Sequence, residues 1–178
     1  MGRRSVGIRK CAFRASRSIS GSSRKADINP ANHGLLAMPR RLEARYDLTP
    51  DELDAIEDRL YQHNSRATGC HDGQGLGFVI RDDAGRTIGV AAGYSWAGIS
   101  ELKQLWVDEA YRARGYGREL LNAFVAESHR RCVRRIWVAS YDFQAPGMYE
   151  KAGFMRMAEF EGWPEDHVNV VLCKKLVP

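Results

Sequence analysis

The most constraining stretch of the chain runs from Leu105 to Leu121, Leu-Trp-Val-Asp-Glu-Ala-Tyr-Arg-Ala-Arg-Gly-Tyr-Gly-Arg-Glu-Leu-Leu. It opens as an apolar strand (Leu105, Trp106, Val107) and breaks at the polar pair Asp108-Glu109. It then enters a helix whose first turn carries Arg112, Arg114, Gly115 and Gly117. A helix N-terminus leaves backbone N–H groups without intrahelical partners and carries the positive end of the helix dipole. Glycines there let a ligand approach the backbone, and arginines add charge. Strand, glycine-bearing turn and helix in that order make a phosphate cradle.

The cradle is not a P-loop, because no G-x-x-x-x-G-K-[ST] run occurs. Nor is it a dinucleotide fingerprint. Gly115 and Gly117 supply its first two glycines, but Leu120 stands where the third belongs. Arg112-Ala113-Arg114-Gly115-Tyr116-Gly117 resembles the [RQ]-x-x-G-x-[GA] acyl-CoA motif of the GNAT superfamily of N-acetyltransferases. A second segment, Ala145-Pro146-Gly147-Met148-Tyr149-Glu150-Lys151-Ala152-Gly153-Phe154, resembles that superfamily's A-x-x-x-Y-x-x-x-G-F run. The two motifs stand in the superfamily's order, and the resemblance covers roughly residues 40–176, everything except the N-terminal tail.

The tail concentrates the charge. Residues 1–37 hold eight Lys/Arg and one acid, net +7, so residues 38–178 are net −2 within a chain of +5. Arg- and Ser-rich and poor in aromatics, this segment is expected to be largely disordered. It reads as a transit peptide, as a nucleic-acid or membrane-surface tail, or as the product of an early start codon with Met38 the true first residue. The last is favoured because the domain pattern begins just after Met38. A nucleic-acid partner therefore enters only through residues 1–37, and the acetyltransferase domain is expected at 38–178. Cys11, Cys70, Cys132 and Cys173 are scattered without metal-ligand spacing, which suggests reduced thiols and no metal. No apolar run reaches the roughly 18–20 residues that span a bilayer. A soluble cytoplasmic protein is expected, monomer or homodimer, with organellar targeting through the tail left open.

Along the domain, Leu42 to Tyr46 reads as a first edge strand. Thr49-Pro50-Asp51-Glu52 is a capping box with Pro at the first helical position, and Leu53, Ile56 and Leu60 carry the helix to about His63. A turn-rich stretch follows from Asn64 to Gly75. Phe78–Arg81 and Arg86–Val90 form a hairpin around a polar turn, the second strand runs on towards Trp96, and Glu101–Val107 is the next strand. The helix from Gly115 to about Arg130 puts Leu120, Leu121, Phe124 and Val125 on one face. Arg135–Ala139 should run parallel to Glu101–Val107, because a right-handed helical crossover joins them. A short helix from Pro146 ends at Gly153, and Met155–Phe160 and Val168–Lys174 close the chain as a hairpin.

The resemblance implies an α/β (α+β) GNAT fold. That is a mixed central sheet of about six to seven strands, with helices on both faces and two parallel strands splayed at one end. It further implies acetyl-CoA as acyl donor, its pantetheine arm pairing with backbone groups of Leu105, Trp106 and Val107 like an added strand. On the same resemblance, the N–H groups of Arg114, Gly115, Tyr116, Gly117 and Arg118 hold the pyrophosphate, with Arg112 and Arg114 adding side-chain charge. Tyr149 corresponds to the tyrosine beside the CoA sulfur. Glu101 resembles the glutamate that some members use as general base, and His167 is the alternative base or acceptor ligand. Where the superfamily often has a CoA-contacting Asn, this chain has Asp142, and Gln144 is placed to take over polar contacts.

The function implied is transfer of an acetyl group to a primary amine of a small molecule or protein, by direct attack in a ternary complex. The alternative is a non-catalytic acyl-CoA-binding regulatory domain. Acceptor specificity is expected in the loops around residues 62–76, 94–100 and 161–167, with Tyr94, Trp96, Trp163 and His167 suggesting a partly aromatic pocket. His63 and His71 read as solvated rather than functional.

Overall fold

The computed structural model describes residues 41–176. The N-terminal extension proposed for 1–37 lies outside them. The chain divides into two units between Glu57 and Asp58. In the first, residues 42–46 form no strand, and Leu42 and Tyr46 are almost fully exposed. Among the described residues that stretch pairs with no strand, and a lone strand is not stable. The capping box is present: Thr49 Oγ1 accepts from Glu52 N–H at 3.3 Å and Glu52 Oε2 from Thr49 N–H at 2.9 Å. Helix α1 spans Pro50–Thr68, running past His63. Gly69, with φ +71°, follows its last residue in a conformation that favours glycine.

The second unit is built on a six-stranded mixed sheet: β1 (Gln74–Arg81), β2 (Thr87–Trp96), β3 (Ile99–Val107), β4 (Arg135–Tyr141), β5 (Met155–Glu161) and β6 (Val168–Lys175). Their spatial order is β1-β2-β3-β4-β6-β5, antiparallel except for β3 against β4. Asp82 organises the first hairpin, its carboxylate accepting from the N–H groups of Ala84 and Arg86 and from Arg86 Nε. Ala97 and Gly98 at positive φ make the two-residue turn into β3, the backbone that matches strand twist.

Two features of β3 shape the site. First, Ala92 pairs with Gln104 but Gly93 with Leu102, so Lys103 is an extra residue. This bulge switches the alternation. Ser100 and Leu102 are buried ahead of it, and Leu105 and Val107 pack against the same core beyond it. Second, β3 pairs with β4 only at Ile99–Glu101 against Arg135–Trp137. Past that point the strands part, as the resemblance implies.

Helix α2 (Tyr116–Arg130) buries Leu120, Leu121 and Phe124 among core residues that include Leu76, Ala91, Leu102, Ile136 and Val138. Ser128 Oγ donates to Ser100 Oγ at 3.0 Å, a buried bond between α2 and β3. Helix α3 (Gly147–Lys151) follows a 3-10 turn at Asp142–Gln144. Cys70 and Cys173 are free thiols.

Candidate active site

The glycine turn after β3 becomes one wall of a cavity of about 660 Å³. The wall begins at Leu105 and Val107, passes through Tyr111 and runs along residues 112–118. Gln144, Ala145, Met148 and Tyr149 face it. Gly115 caps α2 with φ +91°, and a Cβ built on it would meet nothing within 4 Å. That opening is what a close-lying ligand needs. A Cβ on Gly117 would instead reach Met148 Sδ at 3.4 Å and narrow the cavity between α2 and α3. The first bond closing the α2 ladder is Glu119 N–H to Gly115 O at 3.0 Å. The amides of Tyr116, Gly117 and Arg118 precede it and receive no side-chain cap.

Charge reinforces those amides. Among the described residues, none of Arg112, Arg114 and Arg118 pairs with a carboxylate. Arg114 lies over the Tyr111 ring at 5.4 Å, and the Tyr111 hydroxyl is tied to Asp82 Oδ2 at 3.4 Å. Arg112 braces the end of β3 instead, its Nε donating to Val107 O at 3.1 Å. Unpaired amides, an open glycine and unpaired arginines together fit a pyrophosphate.

Strand alternation settles how β3 presents itself. Asp108 N–H donates to Ile88 O at 2.9 Å, and Trp106 pairs opposite Val90. The backbone groups of Trp106 therefore face β2, and those of Leu105 and Val107 face the gap beside β4. Trp106 does not line the cavity, and its ring is half-exposed. Only its two neighbours can offer backbone groups there.

Tyr149, buried on α3, packs edge-on against Phe154 with ring centroids 5.8 Å apart. Its hydroxyl has no hydrogen-bond partner among the described residues, and the residue lines the cavity. Burial pushes its pKa up to about 12, since the phenolate would lose hydration. Gln144 also lines the cavity, while its Oε1 accepts from Tyr141 N–H at 3.1 Å.

Glu101 and His167 are not part of that wall. Glu101 sits at the last paired position of β3 with β4, the apex of the gap. His167, ahead of β6, places Nδ1 at 3.0 and 3.3 Å from the Asp142 carboxylate oxygens. Asp142 is thus engaged by His167. The four aromatic-loop residues separate: Trp96 Nε1 donates to Cys70 O at 2.9 Å and lines another cavity with Asp72 and Arg131, and Tyr94 lies beneath Lys103. Trp163 and His167 instead join Tyr141 and Phe143. His63 and His71 are exposed. Among the described residues, no group of three His, Cys, Asp or Glu could hold a metal, and no helix is long and apolar enough to cross a membrane. The contribution of Tyr111 and the Asp142–His167 pair are not signalled by either motif. They arise from residues that folding alone brings together.

The family model for "Acetyltransferase (GNAT) family" matches residues 39–154. Blasticidin-S acetyltransferase of Streptomyces morookaense is 32% identical over 74 residues, 40% of this chain and 54% of that protein. The chain spans about half the length of the curated relatives it matches. The crystal structure of an acetyltransferase from Bacillus cereus ATCC 14579 is 26% identical, with a TM-score of 0.63 over 75% of this chain and 98% of that one. A Bacillus anthracis structure in complex with acetyl coenzyme A shares the fold at 18% identity. Its TM-score is 0.51, covering 58% of this chain and 63% of that one.

Proposed function

The chain belongs to the acetyltransferase (GNAT) family, and from that premise we propose that it acetylates a primary amine of a small molecule or protein by direct attack in a ternary complex. It is an acyltransferase, and acetyl-CoA, which supplies the activated acyl group as a thioester, is its donor. The observation that carries the finer reading is the single cavity shared by the glycine turn and Tyr149 at the parting of β3 and β4. The amides at the start of α2 hold the pyrophosphate, with Arg114 and Arg118 adding charge. Leu105 and Val107 turn their backbone groups to the pantetheine arm. Since Val107 O already accepts from Arg112, the N–H of Val107 is the group left for the thioester carbonyl.

Tyr149 stabilises the departing sulfur by hydrogen bonding rather than by giving up its proton. From a phenol at about 12 to a thiolate of ordinary pKa about 8.5, transfer is uphill by about 5 kcal/mol. A hydrogen bond to developing charge needs no such transfer. The acceptor must shed a proton first. An ordinary ammonium of pKa about 10.4 faces a handicap of about 4.6 kcal/mol at pH 7, which a base reduces. Glu101 at the apex and His167 beside the β4 end are the two candidates.

Thiol release from acetyl-CoA, followed across a panel of small amines, blasticidin S and peptides with free N-termini, tests this reading. Turnover with at least one amine is expected. Saturable acetyl-CoA binding with no turnover across the panel would favour the acyl-CoA-binding regulatory domain instead.

A further inference from the structure

We propose that Asp142 is a positioning residue that sets His167 as the proton acceptor for the incoming amine, at an acceptor subsite around the end of β4. The inference rests on the N-acetyltransferase reading and goes beyond it by choosing the base and by giving the acceptor a chemical class. A carboxylate only accepts hydrogen bonds, so the His167 nitrogen at 3.0 and 3.3 Å from Asp142 must carry the hydrogen. In the neutral ring, Nε2 is then left with its lone pair. Both partners are held. Asp142 Oδ1 also accepts from Phe143 N–H at 2.9 Å, the Phe143 ring meets the imidazole edge-on at 4.9 Å, and His167 N–H donates to Pro164 O at 2.9 Å.

Three observations place a subsite around this half-exposed pair. Asn169, two residues beyond His167, is buried, and its Oδ1 has no partner among the described residues. An unsatisfied buried acceptor costs about 1–3 kcal/mol, a cost that no group among the described residues relieves. Asn169 pairs opposite Tyr141, so the two side chains share one face of the sheet. Tyr141 stacks on Phe143 at 5.2 Å and meets Trp163 edge-on at 6.0 Å, an aromatic wall of the kind that attracts cations. Finally, Ala145, which lines the donor cavity, is two residues beyond Phe143, so the two backbones lie within about 8 Å.

The charges that chain order puts within reach of His167 are Asp142 from the β4 end and Glu165 and Asp166 from its own hairpin. Arg156 on β5 is committed to Glu150 and Glu159. The subsite suits a protonated primary amine carried on a planar or apolar body. Its ammonium passes one proton to Nε2, and the imidazolium is balanced by Asp142. The freed lone pair forms the C–N bond at the thioester carbonyl as the C–S bond breaks. The sulfur leaves as a thiolate facing Tyr149, the second amine proton reaches it through solvent, and His167 returns its own to water.

The test uses the full chain. ¹⁵N NMR of the His167 ring without acetyl-CoA should show the Nδ1–H tautomer, and Asp142→Asn, whose amide can also donate, should mix or invert it. A wild-type Nε2–H tautomer would overturn the proposal. In thiol release with an amine from the panel, Asp142→Asn and His167→Gln should lose roughly 10²-fold at pH 7, with KM for acetyl-CoA unchanged. Both should recover as pH nears 10, where the amine supplies its own free base. A loss equal at every pH, or none at pH 7, would overturn it as well. Absence of turnover with every amine would sink the acetyltransferase reading, while the tautomer would still decide what Asp142 does.

Discussion

At Tyr149 the hydroxyl sits on a buried ring whose pKa is pushed from 10.0 to about 12. The phenol therefore stays protonated over the whole range in which an amine titrates, which is why the proposed role is a hydrogen bond rather than proton transfer. Tyr149→Phe keeps the ring and its packing on Phe154, so the variant should fold with an unchanged Tm. It should retain acetyl-CoA affinity and lose kcat by roughly 10²-fold, the usual scale for one charge-stabilising donor. A full-rate Phe variant would reduce Tyr149 to packing. At Gly115, φ +91° and the open space at the Cβ position carry separate messages. Gly115→Ala strains the backbone by about 1 kcal/mol yet adds only a methyl. Gly115→Glu adds an anion at the proposed pyrophosphate site. Titration by calorimetry should find acetyl-CoA affinity reduced in the alanine variant and abolished in the glutamate one.

Helix α2 joins the glycine turn at its start to the core along its length. Phe124 is fully buried on its inner face, so Phe124→Ala should cost about 3–5 kcal/mol, read as a shift in the denaturant midpoint. Much of this architecture is legible in the sequence. The apolar spacing of Leu120, Leu121 and Phe124 reveals the face of α2, the polar turn at Asp82 reveals the first hairpin, and Gly115 and Gly117 reveal the open turn that enters α2. What is illegible depends on partners distant in the chain. Residues 42–46 alternate like a strand but pair with none among the described residues. Asn64 to Thr68 look like turn formers, yet they extend α1 because Thr68 Oγ1 bonds Asn64 O and Arg66 Nε bonds Gln62 O. The Lys103 bulge carries no local signature, although it decides that Leu105 and Val107, rather than Trp106, face the gap. Asp142 and His167 meet only after β4 and β6 have paired.

Across the whole molecule, stability should depend on pH through groups far from the chemistry. Glu127 near the end of α2 bonds both Arg130 and Arg131, and those guanidinium groups hold its carboxyl down at about 2. Arg131 reaches on to Gly75 O and Ser95 Oγ, tying that end of the helix to β1 and β2. A depressed carboxylate contributes stability that is present above its ordinary 4.5 and lost as pH falls through about 2. The Tm difference between wild type and Glu127→Gln should therefore shrink over that window; a constant difference would mean the ion pairs are too well solvated to count. Tyr149 acts at the other extreme, its contribution intact below pH 10 and lost as pH rises through about 12. The most direct test of the central claim, that the turn after β3 is an acyl-CoA cradle, is thermal melting of the full chain with and without acetyl-CoA. At a hundredfold excess over Kd, binding contributes about 2.7 kcal/mol, which at this size is a rise of roughly 5–10 °C. The rise should appear in wild type and in Tyr149→Phe and vanish in Gly115→Glu. A correctly folded wild type whose Tm does not move would contradict the account, leaving Arg112 to Gly117 as only a turn before a helix.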